Sequence, residues 1–311
     1  MKPILVTCYV NPDLDGLAGA IAYGEFLRKI GEKVVVGIIG EPHDEAKYIL
    51  DRFGFAYPAT IVNGDDFDEA ILVDASDLIG LEGKISPEKI IEIVDHRKVN
   101  EAEKFPNAKV QIELVCAAAT LIAEKFIEKK IDISQESATL VYAAIVSNTL
   151  NFKGSVTTER DREAAAWSNR TAHLPENFWK DLFIAKSDLS GKKLSERIEG
   201  DFAWFAIGGK KVGIAQVEMI GAKKLLDERG DEIVKILEKL KQEIGLDHVF
   251  QNTIELEDAK NLFVAYDGET QRLLEKILDV RFNGIVAERH GLTMRKQIVP
   301  LLKEELERTV R

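Results

Sequence analysis

Cysteine is scarce in this chain of 311 residues, with Cys8 and Cys116 alone. That is too few for a disulfide framework, and each lies in an apolar stretch where a reduced thiol packs as a small hydrophobe. A reducing compartment is the expectation. Proline is limited to eight residues and glycine to 22 scattered ones, which excludes collagen-like and linker-like sequence. Basic charge is in deficit: 42 Lys and Arg against 53 Asp and Glu leave a net charge of −11. Nucleic acid is thereby disfavoured as the main partner, because phosphate-backbone binding needs a dense basic surface. No window reaches the roughly 18 apolar residues of a membrane span. The run Ile4-Leu5-Val6 behind Met1-Lys2-Pro3 is too short for a signal-peptide core, so cytoplasmic residence without a membrane partner is expected. What is present, 45% hydrophobic and 31% charged residues, excludes a disordered chain, and the length predicts two domains.

The first half alternates strand-like and helix-like patterns. Ile4–Thr7 reads as a strand, and Leu17, Ile21, Gly24, Leu27 and Ile30 follow at helical spacing. Further strands are predicted at Lys33–Ile39, Ala70–Val73 and Ile90–Val94, and helices at Asp44–Arg52, Cys116–Glu128, Gln135–Ser147 and Thr158–Thr171. Strands alternating with helices predict an α/β domain with a doubly wound, mostly parallel sheet over residues 1–187. A polar, small-residue stretch from Ser187 to Lys193 reads as a linker, bounded at 188–195, and a smaller mixed-sheet α/β domain is expected over 196–311. There, Asp201–Ile207 and Val212–Met219 flank Gly208-Gly209 as a hairpin, followed by a long amphipathic helix ending near Ile244. Val249–Leu256 and Leu262–Tyr266 add strands; Thr270–Leu278 and Ile298–Glu307 add helices. The active crevice is expected between the domains.

Asn11-Pro12-Asp13-Leu14-Asp15-Gly16 follows the first strand, at the end where open α/β sheets bind ligands. Asn-Pro-Asp is also plain turn chemistry, and Asp15 is a candidate N-cap. The strand at Ala70 runs into Asp74, and the strand at Ile90 runs into Asp95-His96-Arg97. Four carboxylates and an imidazole at neighbouring strand ends repel or exchange protons unless a cation compensates, and hard divalent ions favour carboxylate oxygen with an occasional imidazole. Arg97 has two readings, bidentate phosphate binding or a salt bridge to a neighbouring aspartate. His43, His173, His248 and His290 are scattered without ligand spacing, and no Ser or Cys nucleophile motif is present.

These segments resemble the DHH phosphoesterase superfamily and, within it, the family II, manganese-dependent inorganic pyrophosphatases. Leu150–Lys153, Lys211–Glu218 and Arg295–Pro300 extend the resemblance over the whole chain. It implies hydrolysis of pyrophosphate by two metal ions on the N-terminal domain, with a C-terminal domain clamping substrate. Asp13 and Asp74 would hold one ion and Asp15, Asp74 and His96 the other, with Asp95 orienting His96. Arg97, Arg295 and Lys296 would hold phosphate. The ion would be manganese, with cobalt or magnesium as alternatives, and the chain would form a homodimer. This sequence departs from the family at five points. Tyr9 replaces a metal-binding histidine, Asn148 a metal-binding aspartate while keeping a carbonyl oxygen as a metal ligand, Arg97 the second histidine of the motif, and Ala203 and Met294 basic residues of the clamp. Two other functions therefore stay open: hydrolysis of another small phosphoester, and phosphate-ligand binding or regulation after loss of catalysis.

Overall fold

A computed structural model describes residues 2–308 apart from 79, 82, 155 and 192. The chain divides into two compact units, Met1–Ala185 and Lys186–Arg311. In the first, the order is β1 (Ile4–Thr7), α1 (Leu14–Lys29), β2 (Val34–Ile38), α2 (Asp44–Phe53), β3 (Ala59–Thr60), β4 (Ala70–Val73), β5 (Ile90–Asp95) and β6 (Lys109–Ile112). Helices α3 (Ala118–Lys129), α4 (Gln135–Asn148), α5 (Glu159–Ala172) and α6 (Phe178–Lys186) follow. The six strands are all parallel and run β3-β2-β1-β4-β5-β6 across the sheet. Winding reverses between β1 and β4, which makes their carboxyl ends the topological switch point, where ligands bind in such sheets. Leu5, Leu72 and Ile93 are fully buried, as expected for parallel strands covered on both faces.

Two strands of this unit escaped the sequence reading. β3 has two exposed residues, and β6 is an edge strand of sequence KVQI with no full apolar face. Helix α6 was also missed. Its Phe178, Leu182 and Phe183 are buried on one face, but Pro175 just upstream reads as a turn.

The second unit contains α7 (Lys193–Gly200), β7 (Phe202–Ile207), β8 (Lys210–Met219), α8 (Ala222–Ile244), β9 (His248–Glu255) and β10 (Lys260–Val264). It ends with α9 (Gly268–Leu278), β11 (Phe282–Asn283), β12 (Val286–His290) and α10 (Arg295–Arg308). Its mixed sheet runs β11-β12-β10-β9-β8-β7, with β8 and β9 parallel and the other pairs antiparallel. β9 is buried at every position, with Val249 packed in one apolar cluster and Phe250 in another. The segment 188–195, expected as a polar linker, is partly helical: α7 starts at Lys193, and Leu189 and Leu194 are buried. Leu194 and Ile198 lie four residues apart on the face that packs into the core, a spacing hidden by the polar residues around it. Lys192 lies outside the described residues. Long helix α8 bends at Arg229, whose φ of −132° is not helical; Gly230 follows it, a residue that weakens a helix at such a point. Among the described residues, no helix is long and apolar enough to cross a membrane.

Candidate metal centre

Strand register brings the acidic residues level. Thr7 pairs with Leu72 and Val73 with Val94, so the residues after β1, β4 and β5 leave the sheet side by side. After β1, Asn11 takes a left-handed φ of 56°, which asparagine tolerates, and its Oδ1 accepts from the Glu41 N–H at 2.9 Å. Asp13, not Asp15, is the N-cap of α1: its Oδ1 accepts from the Asp15 and Gly16 N–H groups at 2.9 and 3.0 Å. The Asp13 N–H in turn donates to the Tyr9 hydroxyl at 3.0 Å. Gly16 allows α1 this close, because a Cβ there would crowd Cys8 Cβ at 3.2 Å and touch the Tyr9 ring at 3.4 Å.

With Asp13 capping its own helix, Asp15 serves another. It is fully buried, and its oxygens accept from the N–H groups of Ala118 at 2.7 Å and Ala119 at 2.9 Å. Helix α3 has no side-chain cap of its own, so Asp15 satisfies its orphan donors and meets the positive end of its dipole. Asn148, the last residue of α4, adds a third donor: its Nδ2 lies 2.8 Å from Asp15 Oδ2 and 3.3 Å from the Cys116 carbonyl.

Asp74 has a left-handed φ of 58° and donates its N–H to Val94 O at 2.8 Å. Its Oδ1 is buried and has no hydrogen-bond partner, although His96 Nε2 lies 3.3 Å away. His96 Nδ1 sits 3.1 Å from Val115 O, which assigns the ring proton to Nδ1 and turns Nε2 toward Asp74 and Asp15. Asp95 acts differently from the expectation: it accepts the backbone N–H of His96 at 2.6 Å and the Ser76 hydroxyl, fixing the main chain rather than the ring. Arg97 pairs with Asp77 at 3.0 Å, donates to Asp74 O at 2.8 Å, and stacks over the Tyr9 ring at 5.3 Å. Of its two readings, the salt bridge is the one present.

Among the described residues, Asp15, Asp74 and His96 each offer a ligand atom within 4.8 Å of the others. Crowded acidity shows in their protonation. Burial first, then Asp74, pushes the Asp15 carboxyl well above the usual carboxylate range, offset by His96 and the Ala119 N–H. Burial raises Asp74 to about 6, against the pull of His96. For His96, burial lowers the pKa but Asp74 and Asp15 override it and bring it to about 10. Burial, then Asp13 and Asp74, keeps the Tyr9 phenol neutral by pushing its pKa far up. A divalent ion matches this donor set: two carboxylates, one of them with an oxygen that makes no hydrogen bond, and an imidazole whose Nδ1–H is held by Val115 O, so that Nε2 can give up its proton to an ion.

The remaining candidates lie in the second unit. Arg295 is bound there, with Nη2 at 2.6 Å from Asp201 Oδ1 and Nη1 at 2.8 Å from Asp201 O. Lys296 is exposed in the first turn of α10. Ala203 sits in β7 opposite Ile214. One supporting residue went unread: buried Asp161 accepts from the Cys116 N–H at 3.0 Å and the Thr120 hydroxyl at 2.7 Å, steadying the segment that reaches Asp15. Its signal was the capping box Thr158-x-x-Asp161.

Comparison with known proteins agrees with this layout. The family model "DHH family, N-terminal domain" matches residues 3–145, and the "DHHA2 domain" model matches 180–305. A probable manganese-dependent inorganic pyrophosphatase of Bacillus cereus is 31% identical over 311 residues, covering 98% of this chain and 99% of that protein. Another of the same description, from Clostridium acetobutylicum, is 28% identical over 306 residues, covering 98% of each. The crystal structure of a Methanococcus jannaschii protein assigned to the family II inorganic pyrophosphatases superposes with a TM-score of 0.70 at 29% identity, covering 97% of this chain and 99% of that one. An exopolyphosphatase-related protein from Bacteroides fragilis shares the fold, with a TM-score of 0.51 at 12% identity, covering 99% of this chain and 92% of its own.

Proposed function

The chain belongs to the DHH phosphoesterase superfamily and, within it, to the family II, manganese-dependent inorganic pyrophosphatases, and on that premise we propose that it hydrolyses inorganic pyrophosphate to two phosphates. Asp15, Asp74 and His96 would hold a divalent ion, manganese in the first place. The observation that carries the reading is the orphaned, buried Asp74 Oδ1 beside His96 Nε2 at the switch point of the sheet. When bound, such an ion polarises a phosphoryl oxygen and lowers the pKa of water. The protein's own contribution is preorganisation. The two N–H groups of α3 and the Asn148 amide hold Asp15 in place, and Val115 O keeps the Nδ1 proton of His96 away from the site.

Residues 1–187 serve in this reading as the metal-holding domain, 188–195 as the connection and 196–311 as the substrate-clamping domain. Arg97, Arg295 and Lys296 are its phosphate contacts, with Lys296 the most accessible; Arg97 and Arg295 would have to share phosphate with Asp77 and Asp201. The buried, reduced Cys8 and Cys116 support a cytoplasmic setting. The net charge of −11 supports the absence of a nucleic-acid partner, and a homodimer without membrane partners completes the proposal.

Phosphate release from pyrophosphate with Mn²⁺, Co²⁺ or Mg²⁺, against a chelator control, tests the proposal. Turnover greatest with Mn²⁺ is expected. Tight pyrophosphate binding without release under all three ions would instead favour a binding or regulatory protein, the reading supported by the Asn148 amide donating to Asp15 where the family has a metal-binding carboxylate.

A further inference from the structure

Resting on the metal-dependent reading, we infer that this chain holds one divalent ion at Asp15, Asp74 and His96, and that the Tyr9–Arg97 stack closes the adjoining position to a second. The argument is one of donors. A hard divalent ion needs several oxygen or imidazole ligands, and the three-residue group supplies two carboxylates and one Nε2. A second ion sharing Asp74 would have to draw on what stands next to it, namely Asp13, Tyr9, Asn148 and Arg97.

Between them these offer little. Asp13 is not among the three residues whose ligand atoms converge, and its Oδ1 already holds two N–H groups of α1, which leaves a second ion Oδ2 alone. The Tyr9 hydroxyl accepts from the Asp13 N–H, and its ring lies beneath the Arg97 guanidinium. Arg97 has donors only and no lone pair for a metal, and it is tied on one side to Asp77 and on another to Asp74 O. It places a fixed cation where a second cation would have to approach, and like charges at such range repel. Asn148 turns its NH₂ group toward Asp15 and Cys116 O. An imidazole in place of Tyr9 would add a lone pair, and an imidazole in place of Arg97 would remove the fixed charge.

The test uses the full chain, stripped of metal and titrated with Mn²⁺ alone in the micromolar range, with calorimetry for the count and electron paramagnetic resonance for the environment. One ion per chain is expected, with a six-line spectrum of isolated Mn²⁺ that persists to saturation. Two ions per chain, an exchange-coupled spectrum, or no binding at all would overturn the inference. The Tyr9→His, Arg97→His double variant should rise from one ion to two and show the coupled signal. A folded double variant that still binds one ion would remove the stack as the cause; should it fail to fold, the count on the unaltered chain still decides. Phosphate release is scored separately. Two ions with turnover sink this inference and leave the hydrolase intact, whereas one ion without turnover does the reverse.

Discussion

At the carboxyl end of the parallel sheet Asp74 keeps a buried oxygen with no hydrogen bond, whereas inside the mixed sheet the buried amides serve one another. Asn261 Nδ2 donates to Asn252 Oδ1 at 2.6 Å and to Thr293 O at 2.7 Å, Asn252 Nδ2 donates to the same carbonyl at 2.8 Å, and the Thr293 N–H returns to Asn261 Oδ1 at 2.8 Å. That network is neutral and closed, and it fixes the chain just before α10. The acidic cluster is charged and open. In a low-dielectric interior the unmet need of a carboxylate is far more costly than that of an amide, so it recruits a proton or a cation. Gln251 Oε1 in the second unit is also unpaired, but it is a single neutral acceptor. The difference teaches that crowded buried acidity, met only by a neighbouring imidazole and exchangeable protons, separates a site of chemistry from a structural bond network.

The largest effect expected from this contrast belongs to Asp74→Asn. Asparagine tolerates the left-handed φ of 58°, so the fold should hold while Mn²⁺ affinity falls by more than the ~10–100-fold typical of losing an outer partner. Calorimetry measures it, and affinity retained within tenfold would break the contrast. Next comes Asn261→Ala, which strands the Thr293 N–H and Asn252 Oδ1; urea unfolding should show a loss of about 2–6 kcal/mol at ~1–3 kcal/mol per stranded group. Mn²⁺ binding should be unmoved, and a matching fall in metal affinity would show that the network is not merely structural.

Smaller still is Arg295→Ala. Its pair with the half-exposed Asp201 is partly screened, so about 1 kcal/mol is expected in the same unfolding assay. As a proposed phosphate contact Arg295 should also raise the KM for pyrophosphate when removed; stability lost with KM unmoved would leave it on the structural side of the comparison alone. The gentlest probe is pH. In the metal-free protein Asp74 at about 6 and His96 at about 10 both lie above their ordinary values, so the native state binds more protons than the unfolded chain. The Asp74 contribution is complete below about 4 and lost by pH 6, and that of His96 is complete below about 6.5 and lost as pH rises through 10. The melting temperature of the metal-free protein should therefore fall from pH 7 to pH 10. Mn²⁺ should flatten that fall, since it occupies the place of the protons; an unchanged slope would argue that the ion binds elsewhere.

Much of this site was legible before any coordinates. Short apolar runs of β-branched residues ending in Asp74 and in Asp95-His96 declare strands and strand ends, because the signal is local and periodic. The turn at Asn11-Pro12-Asp13 was equally plain, although the cap proved to be Asp13 and not Asp15. Less visible were elements whose burial depends on a neighbour: the edge strand β6, and α7, whose Leu194 and Ile198 are concealed among charges.

By itself, then, the sequence determined the order of strands and helices in the main and the acidic strand ends. Those follow from side-chain chemistry and spacing along one chain, whereas the departures at Tyr9, Asn148 and Arg97 stand out only against the family it resembles. Tertiary structure alone decided the partners. Asp15 caps a helix that begins 103 residues later, Asn148 donates to it across 133 residues, and His96 takes its tautomer from Val115 O. Arg97 chose Asp77, and Arg295 chose Asp201, 94 residues earlier in the chain. A hydrogen bond depends on placement to within a few tenths of an ångström, and that placement is set by strand register and helix packing, which no local pattern encodes.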